Sequence, residues 1–560
     1  MKKTSFILAL SVFLFTQYCN AQDNKKITAD IIYINASIWT GDNNNPSASC
    51  IAVSGNKIIY VGNNADAFKG SNTRLVDAGG KMIVPGFIDN HTHFLTGGYQ
   101  LTAVNLREAA SKADFIKTLA TYISKLNDDR WIQGGDWDHE AMGGELPTKN
   151  WIDSVTGNHP IFINRYDGHM ALANSITLKL AGIDKNTVNP PGGEIVRDPV
   201  TNEPTGVLKD EAMGLVNKIV PEPSEKELEE MLQRAAVHAL KNGVTQVNDV
   251  GSYGGWADLK TYSNAHKKNQ LKLRIYSLVA LTTWKRLADY VNQHGRGDDM
   301  LRWGGLKGFV DGSLGSTTAW FYQPYLDDAT STGLIVTDTN DLRRDILAAD
   351  AAGLHVTVHA IGDRANDWLL DVYEQAEKIK ENSNSRFRIE HAQHLSAAAI
   401  KRFATLNVIP SMQPYHAIDD GKWAYKRLED DRLKRTYAFK SLLDAHAKLT
   451  FGSDWTVAPL TPIEGIYAAV TRRTLDDKNP NGWYPEEKIS VEDAIRCYTI
   501  NNAYAGFHEN KTGMLKVGML ADFVMLSDNI FTIAPEKIKE VKVLQTILDG
   551  KMVYEGGKKE

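Results

Sequence analysis

Short runs of alternating apolar and polar residues cluster at the two ends of the chain. Residues 28–40 (Ile-Thr-Ala-Asp-Ile-Ile-Tyr-Ile-Asn-Ala-Ser-Ile-Trp) and 51–62 alternate around turn residues, and so do 521–526, 543–547 and 551–554, the last two flanking Asp549-Gly550. Such a period-two pattern predicts half-buried antiparallel strands. The simplest arrangement that uses both sets is one small β-sandwich built from both chain ends around an uninterrupted middle.

The middle reads differently. Apolar, β-prone runs at 82–90, 131–137, 160–165, 243–249, 273–281, 306–310, 354–359, 387–391, 408–413 and 448–452 predict strands, several ending in polar residues. Helical periodicity falls between them at 224–242, 341–352, 363–381 and 490–505, the first opening on a Ser224/Glu227 capping box and stopping at Gly243. Buried strands alternating with helices predict an α/β fold of the (β/α)8 TIM-type barrel class, with its active site at the C-terminal strand ends. The expected divisions are 22–84 and 509–560 for the two parts of the composite sandwich and 85–508 for the barrel. No short internal repeat is present, which argues against a propeller or solenoid.

Composition changes this picture little. At 560 residues the chain has room for a large catalytic domain and an accessory unit, and 42% hydrophobic with 23% charged residues is ordinary for a globular protein. A net charge of −5 with no long basic run gives nucleic-acid binding no support. The first 21 residues read as a signal peptide, with Lys2 and Lys3, an apolar stretch from Ile7 to Phe15, and a small-residue cleavage site at Cys19-Asn-Ala21. That stretch is too short for a stable membrane span. The expectation is an exported protein, periplasmic or secreted. A lipoprotein acylated on Cys19 is the competing reading, disfavoured by the Thr16-Gln17-Tyr18 that precedes it. Three cysteines without any CxxC exclude a Cys-rich zinc site.

The candidate chemistry lies at strand ends. His91 and His93 close the run Met82-Ile-Val-Pro-Gly-Phe-Ile-Asp-Asn-His-Thr-His93, and on a strand they share one face. Two imidazoles converging there are well explained as ligands to one metal ion. Other strand ends carry Lys307, His359, His391 and Asp454. Each has a plain structural reading: a hydrogen-bonded histidine, an aspartate capping the next helix, a lysine stem lying on the barrel wall. Together they fit metal chemistry better, because a barrel gathers all of them at one mouth. Trp137, beside Asp138 and His139, and Arg165, Asp167 and His169 could bind a polar or anionic substrate group, or could equally be loops held by buried hydrogen bonds. Gln393 and Tyr415-His416 are candidates for the mouth, whereas Glu140 and Asp249 read as structural. Trp320, Phe321 and Tyr322 suit either an apolar lid or a loop anchor.

His91-Thr-His93, Lys307-Gly-Phe-Val-Asp-Gly-Ser-Leu-Gly-Ser316, His359-Ala-Ile-Gly-Asp-Arg364, Arg388-Ile-Glu-His-Ala-Gln393 and Gly452-Ser-Asp-Trp455, in this order, resemble the amidohydrolase superfamily. Within it the chain is similar to the amidohydrolase 3 or YtcJ-like branch, which includes N-substituted formamide deformylases. The resemblance covers nearly all of the chain beyond residue 21 and extends to Arg165-Tyr-Asp-Gly-His169 and Gly513-Met-Leu-Lys-Val-Gly518. It implies a barrel with a composite sandwich and one or two divalent metal ions, commonly zinc. By this resemblance His91, His93 and Asp454 hold one ion, His359 and His391 hold the second, and Lys307, as a CO2-derived carbamate (carboxylysine), bridges them. Without carbamylation a single metal on the histidines remains open. The implied activity is hydrolysis of a carbon–nitrogen bond other than a peptide bond in a small-molecule amide, formamide or cyclic amide. It would proceed through a metal-activated hydroxide, with Asp454 as base and then acid. Alternatives are a deaminase or ester hydrolase with the same site, or an inactive binding protein on this scaffold, against which every expected ligand position is filled. A homodimer is compatible with the sequence, which leaves oligomeric state open.

Overall fold

The structure, a computed structural model, describes residues 27–557 except 102, 127–130, 222, 253–254 and 380–383. The expected signal peptide lies outside the described residues. Eight parallel strands form the central sheet: β1 (Phe87–Thr92), β2 (Val244–Asp249), β3 (Arg274–Ala280), β4 (Leu301–Phe309), β5 (His355–Ala360), β6 (Arg388–His391), β7 (Ile409–Met412) and β8 (Thr450–Phe451). Each pairs with its neighbours in sequence order. The barrel closes just past β8, where Thr92 and Trp455 form a parallel bridge. There the Asp454 N–H donates to the His91 carbonyl (2.8 Å) and the His93 N–H to the Trp455 carbonyl (2.7 Å).

Every residue of β1 and β2 is buried, because both faces of the sheet are covered and alternation disappears. Inside the barrel, Asn90 donates to Ser411 Oγ (2.9 Å) and Thr450 Oγ1 (3.0 Å), and Asn248 donates to Asn90 Oδ1 (2.6 Å). This polar layer ties β1, β2, β7 and β8 together. Outside it, the helix Glu225–Lys241 begins with the expected reciprocal Ser224/Glu227 capping box. It buries Met231, Leu232, Ala235, Ala236, Ala239 and Leu240.

The apolar run at 82–90 serves two sheets. Met82–Pro85 pairs antiparallel with Phe523–Leu526 and parallel with Ser37–Trp39 in the sheet built by both chain ends, while Phe87–Thr92 enters the barrel. Gly86 is the joint, and a Cβ there would sit 2.3 Å from Thr245 Oγ1. Tyr33, Ile51, Val53 and Ile83 from the first part of the chain pack with Ala521, Phe523 and Ile547 from the last, so the sandwich core is shared between the ends.

Two expected barrel strands lie elsewhere. Gly134–Trp137 and Phe162–Arg165 belong to a separate six-stranded sheet inserted between β1 and β2. Phe162–Arg165 turns back at Asp167-Gly168 to pair antiparallel with Met170–Ala173, a hairpin where a barrel would require a helical crossover.

Candidate functional site

The ends of β1, β4, β5, β6 and β8 converge as barrel topology requires. His91 Nε2 and His93 Nε2 lie 3.3 and 3.5 Å from Asp454 Oδ1. His391 Nδ1 and His416 Nε2 each lie 4.0 Å from Asp454 Oδ2. Lys307 Nζ is 3.5 Å from His91 Nε2, and the His359 and His391 rings are 4.5 Å apart. All six sequence-derived candidates therefore share one cluster, buried except for the half-buried His93. His391 (φ 72°) and Asp454 (φ 57°) hold left-handed backbone conformations that cost a non-glycine residue about 1–3 kcal/mol. Strain of that kind is sustained where the surrounding contacts fix a side chain's aim.

Those contacts also orient the imidazoles. His91 Nδ1 hydrogen-bonds Glu390, which is held by Arg388 Nε at 2.8 Å, and His93 Nδ1 donates to the Gly251 carbonyl at 2.6 Å. In the neutral form each ring would then turn its Nε2 lone pair toward Asp454, the tautomer a metal ligand needs. Burial alone would lower His93, yet its hydrogen bond to Asp454 and the charge of that carboxylate more than offset it and raise the ring above its usual value. His391 Nδ1 meets Gln413 Oε1 at 2.8 Å. Burial, reinforced by the Lys307 charge, lowers His91 to about 4 and keeps the ring neutral. Burial likewise holds His359 and His391 well below the usual imidazole value. Burial alone would raise Asp454, yet the imidazoles of His91, His93 and His391 more than offset it and hold the carboxyl well below its usual range. Burial also draws Lys307 down to about 8, towards the neutral amine that carbamylation requires.

Two donor groups in the cluster fit a cation: His91, His93 and Asp454, and His391, His416 and Asp454, the donor atoms of each lying within 4.8 Å of one another. Oriented imidazoles around an ionised carboxylate suit a divalent metal. The Nε2 of His416 is buried without a hydrogen-bond partner, which marks a donor left for something else. His359 stands outside both groups, its Nε2 turned 3.0 Å from the Gly312 carbonyl.

Above the cluster lies a cavity of about 450 Å³, walled by the barrel mouth and the inserted sheet. Arg165, Asp167, His169 and Gln393 all line it. Arg165 is already spoken for, paired with Asp138 at 3.2 Å and Asp167 at 2.7 Å. Asp167 in turn accepts from Ser313 Oγ (2.6 Å) and Ser316 Oγ (3.2 Å) on the loop after β4. His169 Nδ1 pairs with Asp210 Oδ1 at 2.7 Å, and its ring lies 5.3 Å from that of His359. Gln393 donates to Asp420 at 2.9 Å.

Trp137 does not line the cavity. Its strand shifts register between Gly135 and Trp137, with Gly134, Gly135 and Asp136 all at positive φ, and this presents Asp136 to the cavity. The indole is fully buried in the insertion's core and donates to the Ile163 carbonyl at 2.9 Å. Glu140 binds Lys426 and Arg427, and Asp249 accepts from Phe94 N and Tyr262 Oη, so each is held by partners within the fold. Phe321 is buried against Tyr325 and His394 and anchors its loop. Sequence reasoning missed Glu390. The signal available was its place one residue before a candidate ligand and two after Arg388.

The chain matches the amidohydrolase family across residues 74–554, and it belongs to that family. It is 41% identical to the Arabidopsis thaliana protein named Long After Far-Red 3 over 544 residues, 94% of this chain and 92% of that protein. It is 26% identical to an N-substituted formamide deformylase of Arthrobacter pascens, covering 94% of this chain and 98% of that enzyme. Among solved structures, an uncharacterized metal-dependent hydrolase of Pyrococcus horikoshii superposes with a TM-score of 0.73 at 28% identity, covering 90% of this chain and 99% of that one.

Proposed function

Taking membership of the amidohydrolase family as the premise, we propose that this hydrolase cleaves a carbon–nitrogen bond other than a peptide bond in a small amide, formamide or cyclic amide. The observation that carries the reading is the convergence of two oriented imidazoles, His91 and His93, on the ionised carboxylate of Asp454. The formamide-cleaving relative from Arthrobacter pascens supports the choice of bond.

In this reading His91, His93 and Asp454 would hold one divalent ion, zinc being the expected metal; a second would fall to His391, beside which His416 and Asp454 are gathered, and His359, whose Nε2 faces the Gly312 carbonyl, would have to turn to join it. As a carbamate Lys307 would supply an anionic oxygen donor to the site: its neutral amine adds to CO2, a C–N bond forms, and the displaced N–H proton goes to solvent. A cation held there supplies Lewis acidity, polarising a carbonyl and lowering the pKa of water. Asp454 takes the proton of the attacking water and returns it to the departing nitrogen. Glu390 and the Gly251 carbonyl keep the histidine Nε2 atoms aimed while charge develops.

The test is turnover of metal-loaded protein on a panel of N-formyl, N-acyl and cyclic amides, with metal analysis of the same preparation. Turnover that falls by roughly 100-fold or more in Asp454→Asn, with the fold kept, is the expected result. Carefully prepared protein without stoichiometric metal, or an Asp454→Asn variant with full turnover, overturns the proposal.

A further inference from the structure

The cavity above the metal cluster is lined by seven carboxylate residues and two basic ones, Arg165 and Lys307. The charge of both is already engaged, although Arg165 Nη1 is buried without a hydrogen-bond partner. Arg165 is neutralised by Asp138 and Asp167, and Lys307 stands within the cluster against His91. Arg107, near the mouth, is paired with Asp419 at 3.0 Å.

Several acids are less fully matched. Asp210 gives Oδ1 to His169, while its Oδ2 is buried without a hydrogen-bond partner, on a side chain only 3% exposed. Asp136 accepts from Asn164 through Oδ1 (2.8 Å) and shows no bond through Oδ2. Asp420 takes Tyr437 Oη (2.6 Å) and Gln393 through Oδ2 and shows none through Oδ1. These three stand outside both donor groups that fit a metal, so metal charge is balanced by other residues. Burial raises Asp136 to about 6 and Asp420 to about 7, as expected for carboxyls that lack a full counter-charge.

A cavity whose arginine charge is already matched by Asp138 and Asp167, and whose carboxylates outnumber its bases, selects against a ligand carboxylate and for a ligand donor. We propose that the substrate carries a protonated amine, or an equivalent cluster of N–H donors, at the end remote from the bond that is cleaved, recognised by Asp136, Asp210 and Asp420. This rests on the amide-hydrolase reading and names its substrate class as acylated amines bearing a second, cationic nitrogen. Of the two readings open for Arg165, it favours the loop held by buried hydrogen bonds over a contact with an anionic group.

The experiment compares three acetamides, or formamides if the activity panel favours them: those of a linear diamine, of the alkylamine of the same length and of the amino acid of the same length. They end in an ammonium, a methyl and a carboxylate. With metal-loaded wild type, kcat/KM should fall in that order, the ammonium compound exceeding the carboxylate one by on the order of tenfold or more. Asp136→Asn and Asp420→Asn, isosteric changes away from the metal cluster, should each shrink that ratio. Equal turnover of the three, a preference for the carboxylate, or an unchanged ratio in both variants overturns the substrate class and leaves the hydrolase reading standing. Where none is turned over, calorimetric binding of the same compounds reads the same preference. Tighter binding of the ammonium compound then upholds this inference against a failed hydrolase reading, and absence of selective binding overturns both.

Discussion

Glu390→Gln is the sharpest perturbation available, because one buried carboxylate serves both the fold and the metal cluster. Glu390 is 0% exposed; one oxygen receives Arg388 and the other receives His91 Nδ1. Glutamine keeps the shape and can still accept from His91, but it turns an uncharged amide toward Arg388, itself only 2% exposed. Breaking a buried pair from one side costs about 3–5 kcal/mol. The proton linkage gives a similar figure. Burial pushes the carboxyl up, Arg388 and His91 more than reverse that, and Glu390 sits at about 2 against an ordinary 4.5. A carboxyl so depressed contributes about 3 kcal/mol above pH 4.5, a contribution lost as pH falls through 4.5 towards 2. Denaturant unfolding of metal-free protein should therefore show the wild-type advantage at pH 7 and show it narrowing below pH 4.5. Metal titration should show affinity weakened by roughly 10- to 100-fold, the usual effect of losing a ligand's orienting partner. An unchanged unfolding midpoint together with unchanged metal affinity would refute the reasoning.

The same geometry gives three more expected outcomes. Burial holds Lys307 at about 8 against 10.5, so between those values the unfolded chain binds more protons and stability rises with pH. Metal-free, CO2-free protein should gain about 3 kcal/mol over that interval, and Lys307→Met should flatten the rise; matching pH profiles would contradict the burial argument. Trp137→Ala should cost about 3–5 kcal/mol in unfolding experiments, as other buried Trp truncations do. It should leave KM of the folded enzyme unchanged, and a large KM change would return Trp137 to the substrate site. Metal loading should slow hydrogen exchange at the His93 and Asp454 amides more than in the helix Glu225–Lys241, since both amides close the barrel beside the ligands. Uniform slowing would show that the cation does not act at that closure.

Most of the cluster was legible because a barrel turns sequence order into spatial convergence. Given strands that end in His91, His93, Lys307, His359, His391 and Asp454, topology does the rest. Glu390 was illegible for the converse reason. Beside Arg388 it reads as an ordinary charged strand residue, and its role depends on a contact with His91 across 299 residues of sequence. The inserted sheet was misread because Gly134–Trp137 and Phe162–Arg165 share the local pattern of barrel strands. Their pairing sets them apart, and pairing is non-local. Trp137 stayed open between a substrate contact and a buried hydrogen-bonding residue, because the register shift after Gly135 that turns it into the insertion's core depends on pairing with a neighbouring strand.

The cluster sits at the seam where β1 meets the segment after the two-residue β8 through an isolated bridge, and that placement has a physical reason. β8 is only two residues long, so closure onto β1 relies on the segment from Gly452 to Trp455. Gly452 allows the approach, since a Cβ there would lie 2.7 Å from His91 N. Asp454 then adopts φ 57°, which puts its N–H on the His91 carbonyl while its carboxylate faces the imidazoles of His91 and His93. A glycine at 454 would relieve the backbone and keep the closing bond, but it would delete the carboxylate. An L-residue forced into ordinary φ would keep a carboxylate and lose the bond. Closure and ligand geometry are thus one constraint, and a cation binding Asp454 together with His91 and His93 staples β1 to the segment after β8. Changes that relax this seam should misaim the ligands as well, so stability and metal affinity are coupled here.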